Sequence, residues 1–230
     1  MSDGVVLVVG GTSGIGHEVA RHYAEAGQEV IITGRDSERA RTKAAEIGES
    51  VSGLGFDLTQ PDSIAAALSD VGDVAKVVIT AVLRDSNPIK EYNISTARDL
   101  ITMKMLGYTE TIHALIPRLS DDSAVVLYGG LAKERPYPGA ITVATVNGGV
   151  ATMINDLAIE LAPIRFNAIH PGIVGDSWFW EDKDLSNFVA RTPTGKLATT
   201  AQVVDATVFL LENKAINGVN LYVDGGWMLM

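Results

Sequence analysis

Six short segments of this chain, residues 5–9, 30–33, 74–81, 124–127, 165–169 and 219–223, are rich in Val and Ile and nearly free of polar interruption. A strand with one wet face alternates polar and apolar residues. A strand that does not alternate is covered on both faces, as in a parallel sheet between two layers of helices. Between these segments lie stretches of helical period. Ile15, Val19, Tyr23 and Ala26 fall at i, i+4, i+8 and i+11, and Gly27 then supplies a stop. Further helices are expected over 37–47, 62–71, 96–119, 140–161 and 201–211. This rhythm predicts βαβ units with right-handed crossovers. The expected fold is α/β, a Rossmann-type doubly wound parallel sheet of about seven strands with helices on both faces. No linker, low-complexity tract or shift in composition divides the chain, so one domain is expected over residues 1–230.

Composition narrows the partners. Lys and Arg number 18 against 28 Asp and Glu, a net charge of −10, so nucleic acid and anionic membrane are not expected as partners. With no cysteine, the chain has no disulfide, thiolate nucleophile or thiolate metal site. The run MSDGVVLVVGG carries an acid where a signal peptide carries positive charge, and no window approaches a membrane span. A cytoplasmic location is the expectation. His17 and His22 are five apart, off a shared helical face, and no HExxH pattern accompanies them, so no metal is expected.

The first strand runs into Gly10-Gly11-Thr12-Ser13-Gly14-Ile15-Gly16, and a helix follows at once. Glycine lets backbone N–H groups approach a phosphate, and the helix N-terminus adds partial positive charge. A pyrophosphate site is expected here, at the carboxyl end of a strand. No Lys-Ser/Thr pair follows, which disfavours a Walker-type triphosphatase. The second strand ends Thr33-Gly34-Arg35. A carboxylate at Gly34 would bind a free ribose 2′-hydroxyl, whereas the guanidinium of Arg35 suits a 2′-phosphate. NADP(H) is therefore the expected cofactor, with Asp36 read as a cap for the next helix.

These residues resemble the short-chain dehydrogenase/reductase family over nearly the whole chain. Gly10, Gly14 and Gly16 match its G-x-x-x-G-x-G spacing. Asp57-Leu58 is similar to its adenine-contacting pair, and the run from Arg165 through His170-Pro171-Gly172 to its strand and Pro-Gly cofactor loop. Pro193-Thr194-Gly195-Lys196 and Val223-Asp224-Gly225-Gly226 resemble two further signatures. The resemblance implies cofactor contacts from Gly10, Thr12, Ser13, Gly14, Ile15, Gly16, Arg35, Asp57, Leu58, Thr80, Ala81, Asn147, Pro171, Gly172 and Val174. It also implies a homodimer or homotetramer built on the helices over 96–119 and 140–151.

The family ordinarily works through an Asn-Ser-Tyr-Lys tetrad, in which a lysine four residues after the tyrosine stabilises its phenolate. None of the six tyrosines here has a lysine at i+4. Counting back from Glu160-Leu161 places the tyrosine position on Val143, the lysine on Asn147, the serine on Gly130 and the asparagine on Lys104. All four roles are substituted. Ile79-Thr80-Ala81-Val82 replaces the run after the fourth strand, and Asp176 stands where a threonine is usual. Catalytic residues remain unknown, with Lys104 and Tyr137 as candidate proton donors. Tyr128 is read as a lining or core aromatic and His170 as a structural hydrogen-bonder. Trp178-Phe179-Trp180 falls where the family has its substrate lid, which suits an apolar or planar small-molecule ligand. The main reading is an NADP(H)-dependent oxidoreductase with non-standard proton chemistry. Its alternatives are an NADP(H)-binding module without turnover, and a lyase or isomerase that reuses the fold.

Overall fold

A computed structural model of the chain describes residues 4–230. Seven parallel strands form one sheet: β1 (Val5–Val9), β2 (Val30–Gly34), β3 (Val51–Gly55), β4 (Val74–Ile79), β5 (Leu119–Tyr128), β6 (Arg165–Pro171) and β7 (Asn220–Val223). Their order is β3-β2-β1-β4-β5-β6-β7, so the chain reverses direction across the sheet between β1 and β4. A crevice opens beyond the strand ends at such a reversal.

Both faces of the sheet are covered, which explains the unalternating strands. Along β1, Leu7 and Val9 enter one apolar cluster, with Leu100, Ile112, Val150 and Ile154. Val6 and Val8 enter the other, with Val19, Tyr23, Val203 and Leu210. The first layer comes from α4 (Ile94–Ile101), α5 (Tyr108–Leu115) and α6 (Ile141–Glu160). The second comes from α1 (Gly14–Glu25), α2 (Ser37–Ile47) and α8 (Thr200–Glu212).

Several elements depart from the sequence expectation. β3 reads VSGLG and carries too little apolar character to be recognised as a strand by composition. Gly53 is there because a Cβ would run into the α2 backbone at Ala40 and Arg41. The helix expected over 62–71 is shorter, a 3-10 turn at Pro61–Ser63 followed by α3 (Ile64–Ala67). The long helix over 96–119 is broken. α4 passes into a π-helical stretch, Thr102–Gly107, before α5 begins, and Pro117 lies in the 3-10 turn Ile116–Arg118 that ends it. The π stretch carries Lys104 into the protein interior, where its side chain is 3% exposed. Such single-turn insertions into helices often mark functional sites.

Between β6 and α8 the chain makes a long excursion that includes the short α7 (Ser186–Arg191). Its two ends are fastened together. Val174 bridges Ala198, and the Gly175 N–H donates to the Ala198 carbonyl at 2.9 Å. Asp176 Oδ1 accepts from both the N–H (2.8 Å) and the hydroxyl (2.9 Å) of Thr200. Asp176, standing where the resembling family carries a threonine, is thus engaged in this closure. At the opposite end of the sheet, Arg165 donates to the carbonyls of Leu210, Leu211, Asn213 and Ile216, closing the C-terminus of α8 against β6.

Candidate cofactor and substrate site

A cavity of about 660 Å³ opens beyond the carboxyl ends of the central strands. Its floor at one end is the turn between β1 and α1. Gly10 there has φ of 89°, a left-handed conformation that favours glycine, and a Cβ on it would meet the Ala81 N at 2.7 Å. A Cβ on Gly16 would lie 2.5 Å from both the Gly10 carbonyl and Thr80 Oγ1. Thr80 donates to the Val9 and Gly10 carbonyls, each at 3.2 Å, and so braces the turn from behind. Ser13 is the N-cap residue of α1 but its side chain caps no N–H, and the first turn holds no acid. The first N–H groups of a helix have no intrahelical partner. A bare cradle of this kind, with positive dipole and no competing carboxylate, fits a pyrophosphate.

Next to it lies the end of β2. Arg35 lines the cavity, and so does Arg39, one turn into α2, which the sequence reading did not single out. Its signal was available, since it lies three residues after Asp36. Asp36 is the N-cap of α2 and accepts from the Arg39 N–H at 2.7 Å, as expected of it. A Cβ on Gly34 would sit 2.7 Å from Thr12 Cγ2, so a carboxylate-bearing residue has no room there while Thr12 keeps its place. Asp57 and Leu58 also line the cavity, with Asp57 Oδ1 accepting from the N–H and hydroxyl of Thr59, both at 2.9 Å.

At the far end the cavity reaches Lys104, Tyr128 and Gly129, with Pro171, Gly172 and Val174 of the loop after β6. Lys104 Nζ donates to the Tyr128 carbonyl at 2.6 Å and to Asn147 Oδ1 at 3.3 Å. Burial pushes its ammonium down to about 7. The Tyr128 hydroxyl points away, 2.5 Å from Thr207 Oγ1, so this residue offers the cavity its backbone and not its phenol. Tyr108, packed beside Lys104, donates its hydroxyl to the Ala81 carbonyl at 2.8 Å, and burial raises its pKa.

Asn147 does not line the cavity but backs Lys104, and its amide Nδ2 would lie 2.7 Å from a Cβ placed on Gly130. Gly130 donates its N–H to His170 Nδ1 at 3.0 Å, while His170 Nε2 meets Asn220 Oδ1 at 2.7 Å. With Nδ1 accepting, the proton belongs on Nε2, and the ring is neutral; burial lowers its pKa to about 4. His170 is thus the structural hydrogen-bonder the sequence suggested.

Of the expected cofactor contacts, Gly10, Thr12, Ser13, Gly14, Ile15, Gly16, Arg35, Asp57, Leu58, Thr80, Ala81, Pro171, Gly172 and Val174 all border this one cavity, and Asn147 stands behind it. Of the two candidate proton donors the structure brings in Lys104 alone. Tyr137 is 53% exposed and is not part of the cavity wall. A phenol does meet an ammonium elsewhere. Lys133 Nζ donates to the Tyr222 hydroxyl at 2.6 Å, and that hydroxyl donates to Glu134 at 3.1 Å, outside the cavity. Trp178 and Trp180 also line the cavity, joined by Arg84 from the loop after β4, which the sequence reading did not name.

A family model described as enoyl-(acyl carrier protein) reductase matches residues 9–228. The chain belongs to the short-chain dehydrogenase/reductase family. This short-chain dehydrogenase/reductase is 27% identical to 3-oxoacyl-[acyl-carrier-protein] reductase of Bos taurus over 237 residues, covering 99% of each chain. It is 28% identical to serine 3-dehydrogenase of Agrobacterium fabrum, covering 74% of this chain and 72% of that one. Among solved structures, 3-ketoacyl-(acyl-carrier-protein) reductase from Brucella melitensis, complexed with NADH, superposes with a TM-score of 0.86 at 26% identity, covering 98% of both chains. Members of this family act as oxidoreductases on small molecules with a nicotinamide cofactor. Among the described residues no helix is long and apolar enough to cross a membrane.

Proposed function

We propose that this protein is an NADP(H)-dependent oxidoreductase in which Lys104, not a tyrosine, holds the proton beside the reacting substrate atom. The observation that carries the reading is the Lys104 amine, buried at the cavity end opposite the arginines and tied to the Tyr128 carbonyl and Asn147. Two oxygen acceptors fix Nζ and leave the third N–H of an ammonium for a substrate oxygen. A group titrating near neutrality can both release and recover a proton there. The bound cofactor would supply or accept the hydride.

Preference for the 2′-phosphorylated cofactor is supported by Arg35 and Arg39 together and by the space that Thr12 denies to an acid at position 34. Gly130, Val143 and Asn147 offer neither hydroxyl, phenol nor ammonium at the counted tetrad positions. Such a site suits acceptors that ask little of a strong acid, namely a conjugated enone, whose enolate solvent can protonate, or an already cationic iminium.

Two measurements test this. Fluorescence titration with NADPH and NADH is expected to give NADPH the tighter binding by tenfold or more; equal affinities would remove the role of Arg35 and Arg39. A panel of ketones, enones and cyclic imines, followed by NADPH absorbance, is expected to show turnover of an enone that Lys104→Met slows at least tenfold, and of an imine that it leaves nearly unchanged. Silence across the panel would return the protein to a cofactor-binding module.

A further inference from the structure

Two cations lie against the aromatic segment at 178–180: Lys183, 3.1 Å from the Phe179 centroid but outside the cavity wall, and Arg84, which lines the cavity. The Arg84 guanidinium lies 3.3 Å from the centroid of Phe179 and 5.9 Å from that of Trp178. Among the described residues it makes no hydrogen bond and no ion pair, although its own neighbour Asp85 has a buried and equally unpartnered Oδ2. A guanidinium stacked on an aromatic face keeps the N–H donors of its edge directed into the plane, where a carboxylate or phosphate can take two at once. Burial against the lid also lowers the pKa of Arg84, a sign that water has been partly withdrawn from the charge. A cation in that setting gains more from an anion than a fully hydrated one would.

The chain's net charge is −10, yet the side chains lining the cavity include Arg35, Arg39, Arg84 and Lys104 against Asp36 and Asp57. The two acids are partly engaged within their own turns, with Arg39 N–H and Thr59. Arg35 and Arg39 stand together beside Gly34, and the uncapped first turn of α1 serves the pyrophosphate. Arg84 is left at the lid, among Val82, Leu83, Trp178 and Trp180.

We infer that the substrate of this site is a flat carbonyl compound bearing an anionic group, carboxylate or phosphate. Arg84 pairs with that anion while Trp178 and Trp180 cover the apolar body. This inference rests on the reading of the cavity as a cofactor and substrate site, and it names the substrate class of that site.

The test uses the protein saturated with NADPH and three aromatic aldehydes of one skeleton, carrying a carboxylate, a phosphate monoester or a methyl ester, with binding measured by calorimetry. Wild type is expected to bind one of the two anions at least tenfold tighter than the ester, and the stronger arm identifies the group. Arg84→Gln is expected to erase that preference while leaving NADPH affinity within twofold, and Arg84→Lys to restore it in part. An ester bound as well as both anions overturns the inference, as does a preference that survives Arg84→Gln. A loss of NADPH affinity in Arg84→Gln with the preference intact would also overturn it, by assigning Arg84 to the cofactor. Failure of wild type to bind NADPH would instead strike the parent reading, so the two failures are separate.

Discussion

Replacing Lys104 by methionine keeps the length and apolar stem of the side chain and removes its charge. In the folded protein the amine titrates at about 7, against an ordinary value of 10.5. Between these two values the unfolded chain holds a proton that the folded chain has released, so raising the pH favours the folded state. At pH 7 the folded amine is half protonated, and by pH 9 it is almost wholly neutral. Over that interval the linkage contributes about 2 kcal/mol, since one unit of differential protonation is worth about 1.4 kcal/mol. The sign is opposite to that of a surface lysine with an acidic partner, whose contribution fades at high pH. Urea unfolding of wild type and Lys104→Met at half-unit steps from pH 6.5 to 9 isolates the effect, because every other group titrates in both proteins. The wild-type curve is expected to gain about 2 kcal/mol on the variant across the range. Parallel curves would mean that Lys104 keeps its ordinary proton affinity, and the proton-holding role assigned to it would fall.

Other outcomes follow from the same geometry. His170, held neutral at about 4, is expected to make the protein lose stability as pH falls from 6.5 toward 4; His170→Gln should flatten that limb by about 2 kcal/mol in acid titration of unfolding. Gly16→Ala, with a methyl 2.5 Å from the Gly10 carbonyl, should abolish NADPH binding in fluorescence titration. Gly14→Ala meets open space and bears only the left-handed backbone penalty, about 1 kcal/mol in thermal unfolding. Arg35→Ala should weaken NADPH at least tenfold and NADH less than threefold, a loss of about 1.5–3 kcal/mol for a charge-assisted contact. The triple variant Gly130→Ser, Val143→Tyr, Asn147→Lys should yield no ketone reductase while Lys104 remains, because Lys104 Nζ lies 3.3 Å from Asn147 Oδ1 and two ammoniums would collide; adding Lys104→Asn should rescue turnover.

Legibility in the sequence followed the physics of each part. The central strands were visible because burial on both faces leaves unbroken runs of Val and Ile, as in Val5–Val9. β3 was not, because close approach of α2 demands glycine at position 53, and glycine erases the apolar signal. The glycine turn and Arg35 were legible since their chemistry is local in the chain. The setting of Lys104 was half legible: its place on the middle helix could be counted, but the π-helical stretch that buries it could not. Arg84 escaped notice because nothing near it in sequence marks a site; its setting comes from direct stacking on Phe179, 95 residues away in the chain. Tyr137 shows the converse, a residue suggested by loop adjacency that the fold leaves in solvent.

The excursion between β6 and α8 is tied at its neck by the Val174–Ala198 bridge and the Asp176–Thr200 contacts, while Arg165 pins the distant end of α8. The returning limb is held a second time, where the Thr194 N–H donates to the Gly225 carbonyl at 3.3 Å and Thr192 packs on Gly225. Residues 177–191, between the knot and that second fastening, are the part of the excursion to be exchanged as a cassette. Transplanting that stretch between relatives of equal neck geometry should carry ligand preference with it and leave cofactor choice behind.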